Sequence, residues 1–191
     1  LSMVGQALMK SPYPFQPGDV AFIMHHNSWI SKAFAWFMGS KWSHCFIIWE
    51  STEHNTYLLE TSDYEVINST LDKYLNDPYV EMSIYSRHDM SDEDRLYAMQ
   101  LAQETCLGTT YGYFQLISLA IRALLKKMGI QSVNWIRQGY TCNEVVLTAL
   151  SSIHSSGLYQ VDPKSLDTQD IFAFISIAWS PVFYKAPEAI K

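Results

Sequence analysis

Alternating apolar and polar residues predict strands over 20–24, 44–50, 56–61 and 80–86. The polar stretch 51–55 is short enough to join the second and third as a hairpin. Apolar residues at 29, 30, 33, 34 and 37 have helical spacing, with Ser28 before them and Gly39 as a stop. Ser91 caps a second helix whose first turn carries Asp92, Glu93 and Asp94, and which runs to Cys106 ahead of Gly108. A long amphipathic helix is predicted over 111–128, with Lys126 and Lys127 in its last turn and Gly129 after it. Residues 130–139 then connect to a helix from Cys142 to about Ile153. Beyond the Asp162-Pro163 turn, the pattern predicts a short helical turn over 165–169 and a closing strand over 171–178. The pattern therefore describes an α+β chain with a central, mostly antiparallel sheet packed against helices. Residues 17–191 form one domain, preceded by a leader over 1–16 that Pro12 and Pro14 hold extended.

Composition supports one packed domain: 48% of the 191 residues are hydrophobic and 17% charged. No repeat or low-complexity tract divides it. A net charge of −6 argues against nucleic acid as a partner, with a local basic patch only at Arg122, Lys126 and Lys127. Three cysteines, Cys45, Cys106 and Cys142, make no disulfide framework, and without a Cys-x-x-Cys pair they point to no structural zinc. The N-terminus lacks a signal-peptide pattern. The longest apolar stretch, 113–125, is broken by Gln115 and Arg122 and is too short to span a bilayer. The expectation is a chain with no transmembrane segment, made in the cytoplasm and carried to the periplasm or envelope, if it acts there, by a dedicated machine.

Three residues stand out chemically. Cys142 follows Thr141 at the predicted start of a helix, where the dipole and free N–H groups favour thiolate. It shares a face with Val145, Val146, Ala149, Leu150 and Ile153, so the sulfur points at the sheet; a buried core cysteine is the plain alternative. His44 opens a strand on the side of Phe46 and Ile48, where it is either a satisfied core group or a base held against a helix, with His25 and His26 as competitors for a site role. Glu60 ends an apolar strand paired with that of His44, where a carboxylate needs a partner such as an imidazole N–H; Asp63 takes its place if the hairpin register differs. A metal set of His25, His26, His44 and Cys45 fits no zinc spacing. The chain carries no Gly-x-Ser-x-Gly elbow, no Gly-x-Gly-x-x-Gly and no Walker sequence.

Pro17-Gly18-Asp19-Val20-Ala21-Phe22, Trp42-Ser43-His44-Cys45-Phe46-Ile47-Ile48 and Tyr57-Leu58-Leu59-Glu60 resemble the sheet half of the NlpC-type papain-like cysteine hydrolases. Tyr140-Thr141-Cys142-Asn143-Glu144-Val145-Val146 follows that half instead of preceding it, which is similar to the circularly permuted, YiiX-like branch. Gly108-Thr109-Thr110-Tyr111-Gly112 and Asp162-Pro163-Lys164-Ser165-Leu166 resemble it too. The resemblance spans 17 to about 178 and implies a permuted papain-like fold. It also implies a Cys142 nucleophile, a His44 base, a Glu60 orienting acid and no cofactor. Tyr140, Trp42 and Tyr111 are expected to line the substrate site. The implied activity is cleavage of amide bonds in peptidoglycan stem peptides, by a phage component or an antibacterial effector with an immunity protein or delivery partner. The chain departs from the pattern at Cys45, where a small aliphatic residue is usual, and in its long apolar stretch 113–137. That stretch motivates a second expectation, thiol acyl transfer or hydrolysis on lipids. A third is a binding module with a vestigial site.

Overall fold

The computed structural model describes residues 15–52, 54–62, 64–112, 121, 125, 128–130, 139–164 and 166–188. The basic patch, Asp63, most of the predicted 111–128 helix with the apolar stretch inside it, and nearly all of the predicted leader lie outside these residues. Phe15, assigned to the leader by sequence, is buried and meets Phe183 edge-on at 5.6 Å, so the packed chain reaches back at least to it.

Six strands form one sheet, β1 (Val20–His25), β2 (His44–Ser51), β3 (Thr56–Thr61), β4 (Val66–Thr70), β5 (Val80–Ser86) and β6 (Ser180–Lys185). Their spatial order is β4-β3-β2-β1-β5-β6, and every neighbouring pair is antiparallel. The described residues include five α-helices: α1 (Trp29–Met38), α2 (Asp72–Leu75), α3 (Asp92–Cys106), α4 (Cys142–Leu150) and α5 (Thr168–Ala178). The architecture is α+β.

Alternation along each strand divides the core in two. Val20, Phe22, Cys45, Ile47 and Leu59 face the larger layer, where α4 contributes Cys142, Val145, Val146 and Ala149, α3 contributes Ala98 and Met99, and α5 contributes Ile171 and Ile175. Ala21, Ile23, Phe46, Ile48 and Leu58 face the other side, covered by Leu71, Tyr74 and Phe15. Burying these side chains contributes on the order of 2 kcal/mol each before conformational entropy is set against it. Arg95 of α3 fastens the layers at one end: its guanidinium donates to Pro17 O at 2.8 Å, to Asp19 Oδ1 at 3.3 Å and to Arg87 O.

Several sequence expectations are corrected. Residues 171–178 are helical, not a strand. Asp167 caps α5 by accepting from Asp170 N, and Asp170 accepts from Asp167 N in return, a reciprocal box that sets the helix start. Ile171 and Ile175, one turn apart, are buried while Ile177 is 88% exposed, which an alternating strand would not allow. The closing strand is instead β6, which the pattern missed because Pro181 sits in it; proline is tolerated there because β6 is an edge. β4 was also missed, being short and half polar. The Cys142 helix ends at Leu150, three residues early. Helix α1 stops at Gly39 as expected, in the left-handed conformation, and Ser28 caps its start, but Ala35 and Met38 are its buried residues, while Trp29 and Ile30 of the spaced apolar set are exposed.

Candidate active site

Cys142 is the first residue of α4. The entry to this helix is built by Gly139, Tyr140 and Thr141. Gly139 has φ +77°, and a Cβ there would lie 2.7 Å from Thr110 O and 2.8 Å from Gly112 N. Only glycine permits that close approach. Tyr140 N donates to Thr110 O at 3.0 Å, and Gly112 N donates back to Tyr140 O at 3.1 Å. Thr141 N donates to Glu144 Oε2 at 2.8 Å, the reciprocal half of a capping box, and Glu144 is fully buried. Asn143 Nδ2 donates to Leu166 O at 2.6 Å, tying the helix start to the segment before α5. The thiol is thus held by backbone contacts on one side and packed against β2 on the other, and Cys142 is 2% exposed.

His44 is the first residue of β2. It lies on the Phe46 side of the sheet, its ring 6.1 Å from that of Phe46. From the strand end the ring reaches two partners. Nε2 pairs with Glu60 Oε2 at 3.3 Å, and the ring also hydrogen-bonds the sulfur of Cys142. The register explains why Glu60 meets His44: Ile47 pairs with Leu59, so Glu60 stands one residue further along β3, diagonal to His44 and on the same face. Thus the three residues singled out by sequence come together.

Glu60 is 1% exposed and accepts from three further donors. Ser69 Oγ and Lys73 Nζ donate to Oε1, and the Tyr74 hydroxyl donates to Oε2 at 2.5 Å. These residues were not anticipated, because β4 and α2, which carry them, were not. An unassigned polar stretch following a buried carboxylate was the available signal.

The electrostatics follow from these contacts. A hydrogen bond from the Cys45 thiol draws the Cys142 pKa well below the ordinary thiol value; burial opposes this, and the hydrogen bond and positive charge of His44 reinforce it. The same hydrogen bond, with burial and the charge of Cys142, pushes the Cys45 thiol up, so Cys45 stays the protonated donor. Burial disfavours the imidazolium of His44, but Cys142 and then Glu60 outweigh it and raise its pKa to about 9. Burial likewise opposes the charge of Glu60, yet His44 and Lys73 bring its pKa down to about 2. Tyr74 is pushed up by burial and by Glu60 and remains a hydroxyl donor. All three directions favour the same arrangement, a thiolate beside an imidazolium beside a carboxylate.

The competitors His25 and His26 find other acids, Asp77 at 3.7 Å and Glu81 at 2.9 Å. Of the residues expected to line the substrate site, Tyr140 and Tyr111 are half-buried and joined by a parallel bridge beside the Cys142 helix. Trp42 is corrected: it is 2% exposed and packs among Phe22 and Phe172, so it is core and offers no wall to a substrate. Sequence noted Cys45 as a departure from the family pattern and as a member of the discarded metal set; its place in the same buried layer as Cys142 was not foreseen.

The fold and this constellation define an α+β protein with an antiparallel sheet and a thiol, imidazole and carboxylate gathered at one sheet end. Among solved structures the chain is similar to the metalloprotein yiiX from Escherichia coli O157:H7 (DUF1105). The TM-score is 0.52 at 15% identity, over 90% of this chain and 98% of that one. The chain has a YiiX-like fold. No family model and no curated protein matches it. Among the described residues no three His, Cys, Asp or Glu side chains are grouped to hold an ion. The Lys73 ammonium occupies the carboxylate of Glu60, and the sulfurs and His44 are engaged with one another.

Proposed function

We propose that the protein is a cysteine hydrolase of the circularly permuted NlpC-type papain-like kind, acting through Cys142, His44 and Glu60. The observation that carries this reading is the hydrogen-bonded series from the Cys142 sulfur through the His44 ring to Glu60, with the thiol at a helix N-terminus. The thiolate attacks a carbonyl carbon, and the developing oxyanion is met by the Cys142 backbone N–H, which has no partner four residues back in the helix. The His44 imidazolium protonates the leaving nitrogen or oxygen as the tetrahedral adduct collapses to a thioester. Neutral His44 then takes a proton from water, whose oxygen attacks the thioester and frees Cys142. Glu60 stabilises the imidazolium and fixes its tautomer throughout.

The substrate class we favour is an amide bond of peptidoglycan stem peptides, on the strength of the motif resemblance and the YiiX-like fold. This would suit an enzyme delivered to the cell envelope. Incubating purified muropeptides with the protein and weighing the products tests the reading; cleaved stem peptides are expected, and Cys142→Ala and His44→Ala are each expected to lose at least 1,000-fold in rate, on the order of 4 kcal/mol. Intact muropeptides alongside turnover of a labelled lipid ester would keep the thiol chemistry and change the substrate. Full activity in either variant would remove that residue from the mechanism.

A further inference from the structure

Cys45 exchanges no bond or proton in the proposed hydrolytic cycle, yet it shares a buried layer with Cys142. Strand alternation sends its side chain to the α4 side of the sheet together with Ile47, and it lies in the same buried cluster as Cys142. The helix that Cys142 opens packs directly on β2, the strand that carries Cys45. Both cysteines are free, and their burial screens them from bulky reagents. Two thiols in one buried layer, one on the strand and the other at the N-terminus of the helix packed on that strand, are placed for the pairing that traps an oxidised cysteine before it is damaged.

We propose that Cys45 and Cys142 form a redox modification site in which Cys45 resolves a peroxide-oxidised Cys142 as an intramolecular disulfide. The Cys142 thiolate attacks one oxygen of hydrogen peroxide and the O–O bond breaks. Sulfur gains a hydroxyl to become a sulfenic acid, and hydroxide leaves. The Cys45 thiol then attacks that sulfur; the S–S bond forms as the S–OH bond breaks, and the Cys45 proton leaves with the hydroxyl as water. Sulfur is oxidised by two electrons, peroxide is reduced, and a small dithiol reverses the product by exchange. The captured state blocks the nucleophile but spares it from irreversible oxidation to sulfinic acid.

This inference rests on Cys142 being the reactive thiol of the proposed function, but its readout is covalent mass and does not require turnover. The whole protein is treated with hydrogen peroxide, alkylated, and weighed intact and as peptides, before and after dithiothreitol. The expected product has lost two hydrogens, links the Cys45 and Cys142 peptides, and returns to two alkylatable thiols on reduction. Cys45→Val is expected to gain two oxygens on Cys142 and resist reduction, whereas Cys106→Ser is expected to form the same disulfide as the unmodified chain. Oxygen addition at Cys142 without a disulfide in the unmodified chain, or a disulfide through Cys106, would overturn the proposal. Identical oxidation products in Cys45→Val and the unmodified chain would overturn it as well. A disulfide in a protein that cleaves no substrate would leave the modification standing and the hydrolase reading alone at fault.

Discussion

The site's acid–base behaviour is decided by single atoms. Removing the Cys45 thiol in Cys45→Val takes away the leading contribution to the lowered Cys142 pKa while keeping a buried side chain of similar size. The expected result is an alkylation profile with iodoacetamide displaced to higher pH. An unmoved profile would mean that His44 alone sustains the thiolate. Hydrolysis and alkylation should also part at high pH. In the proposed cycle protonated His44 releases the leaving group, and its pKa is raised to about 9, so the hydrolytic rate should fall as pH rises through 9. Alkylation needs only the thiolate and should not fall there. A rate profile declining near pH 6.5 would show an imidazole unassisted by Cys142 and Glu60.

Elements carry these atoms to one place, and the chain's pattern announced some of them better than others. Strands β1, β3 and β5 and helix α3 were legible because each has clean periodicity and marked ends, such as the Ser91 cap with three acids after it. The Cys142–His44–Glu60 set was legible for the same reason: a buried carboxylate, a strand-opening histidine and a helix-opening cysteine each sit at a patterned boundary. Helix α5 was not, since Ile171-Phe172-Ala173-Phe174-Ile175 is apolar at nearly every position and a short apolar run has no readable period. Its Asp167–Asp170 box was the overlooked signal. Trp42 failed differently: sequence marks an aromatic residue near a site, but only packing tells a groove wall from a core. The entry to α4 yields a firm prediction. Gly139→Ala places a methyl group against Thr110 O and Gly112 at under 3 Å, in a left-handed backbone. Activity should drop far more than stability, which we expect to fall by about 1–3 kcal/mol in urea titration. Equal activity would show that the turn before Cys142 does not set its geometry.

For the molecule as a whole, charge buried at the sheet end couples folding to pH. Glu60 has a pKa of about 2 in the fold against 4.5 for an ordinary glutamate. Its depressed value adds stability that is complete above pH 4.5 and disappears as pH falls toward 2, by about 3 kcal/mol in all. Thermal melts from pH 7 to pH 2 should therefore lose more stability in the parent chain than in Glu60→Gln; parallel curves would refute the coupling. The opposite corner of the sheet makes a comparable demand. Arg95→Met would strand Asp19, which is fully buried and whose pKa burial already raises against the pull of Ser86, Gln16 and Arg95. A loss of about 3–5 kcal/mol in urea unfolding is expected, and a loss under 1 kcal/mol would show that Asp19 simply takes up a proton.

His44 and Glu60 lie 16 residues apart on neighbouring strands, whereas Cys142 belongs to a helix translated much later. On the ribosome, the ring and its carboxylate can be seated while the sulfur has yet to be synthesised. Under the proposed mechanism, a growing polypeptide gains its nucleophile only after the strands carrying its base and acid have been synthesised.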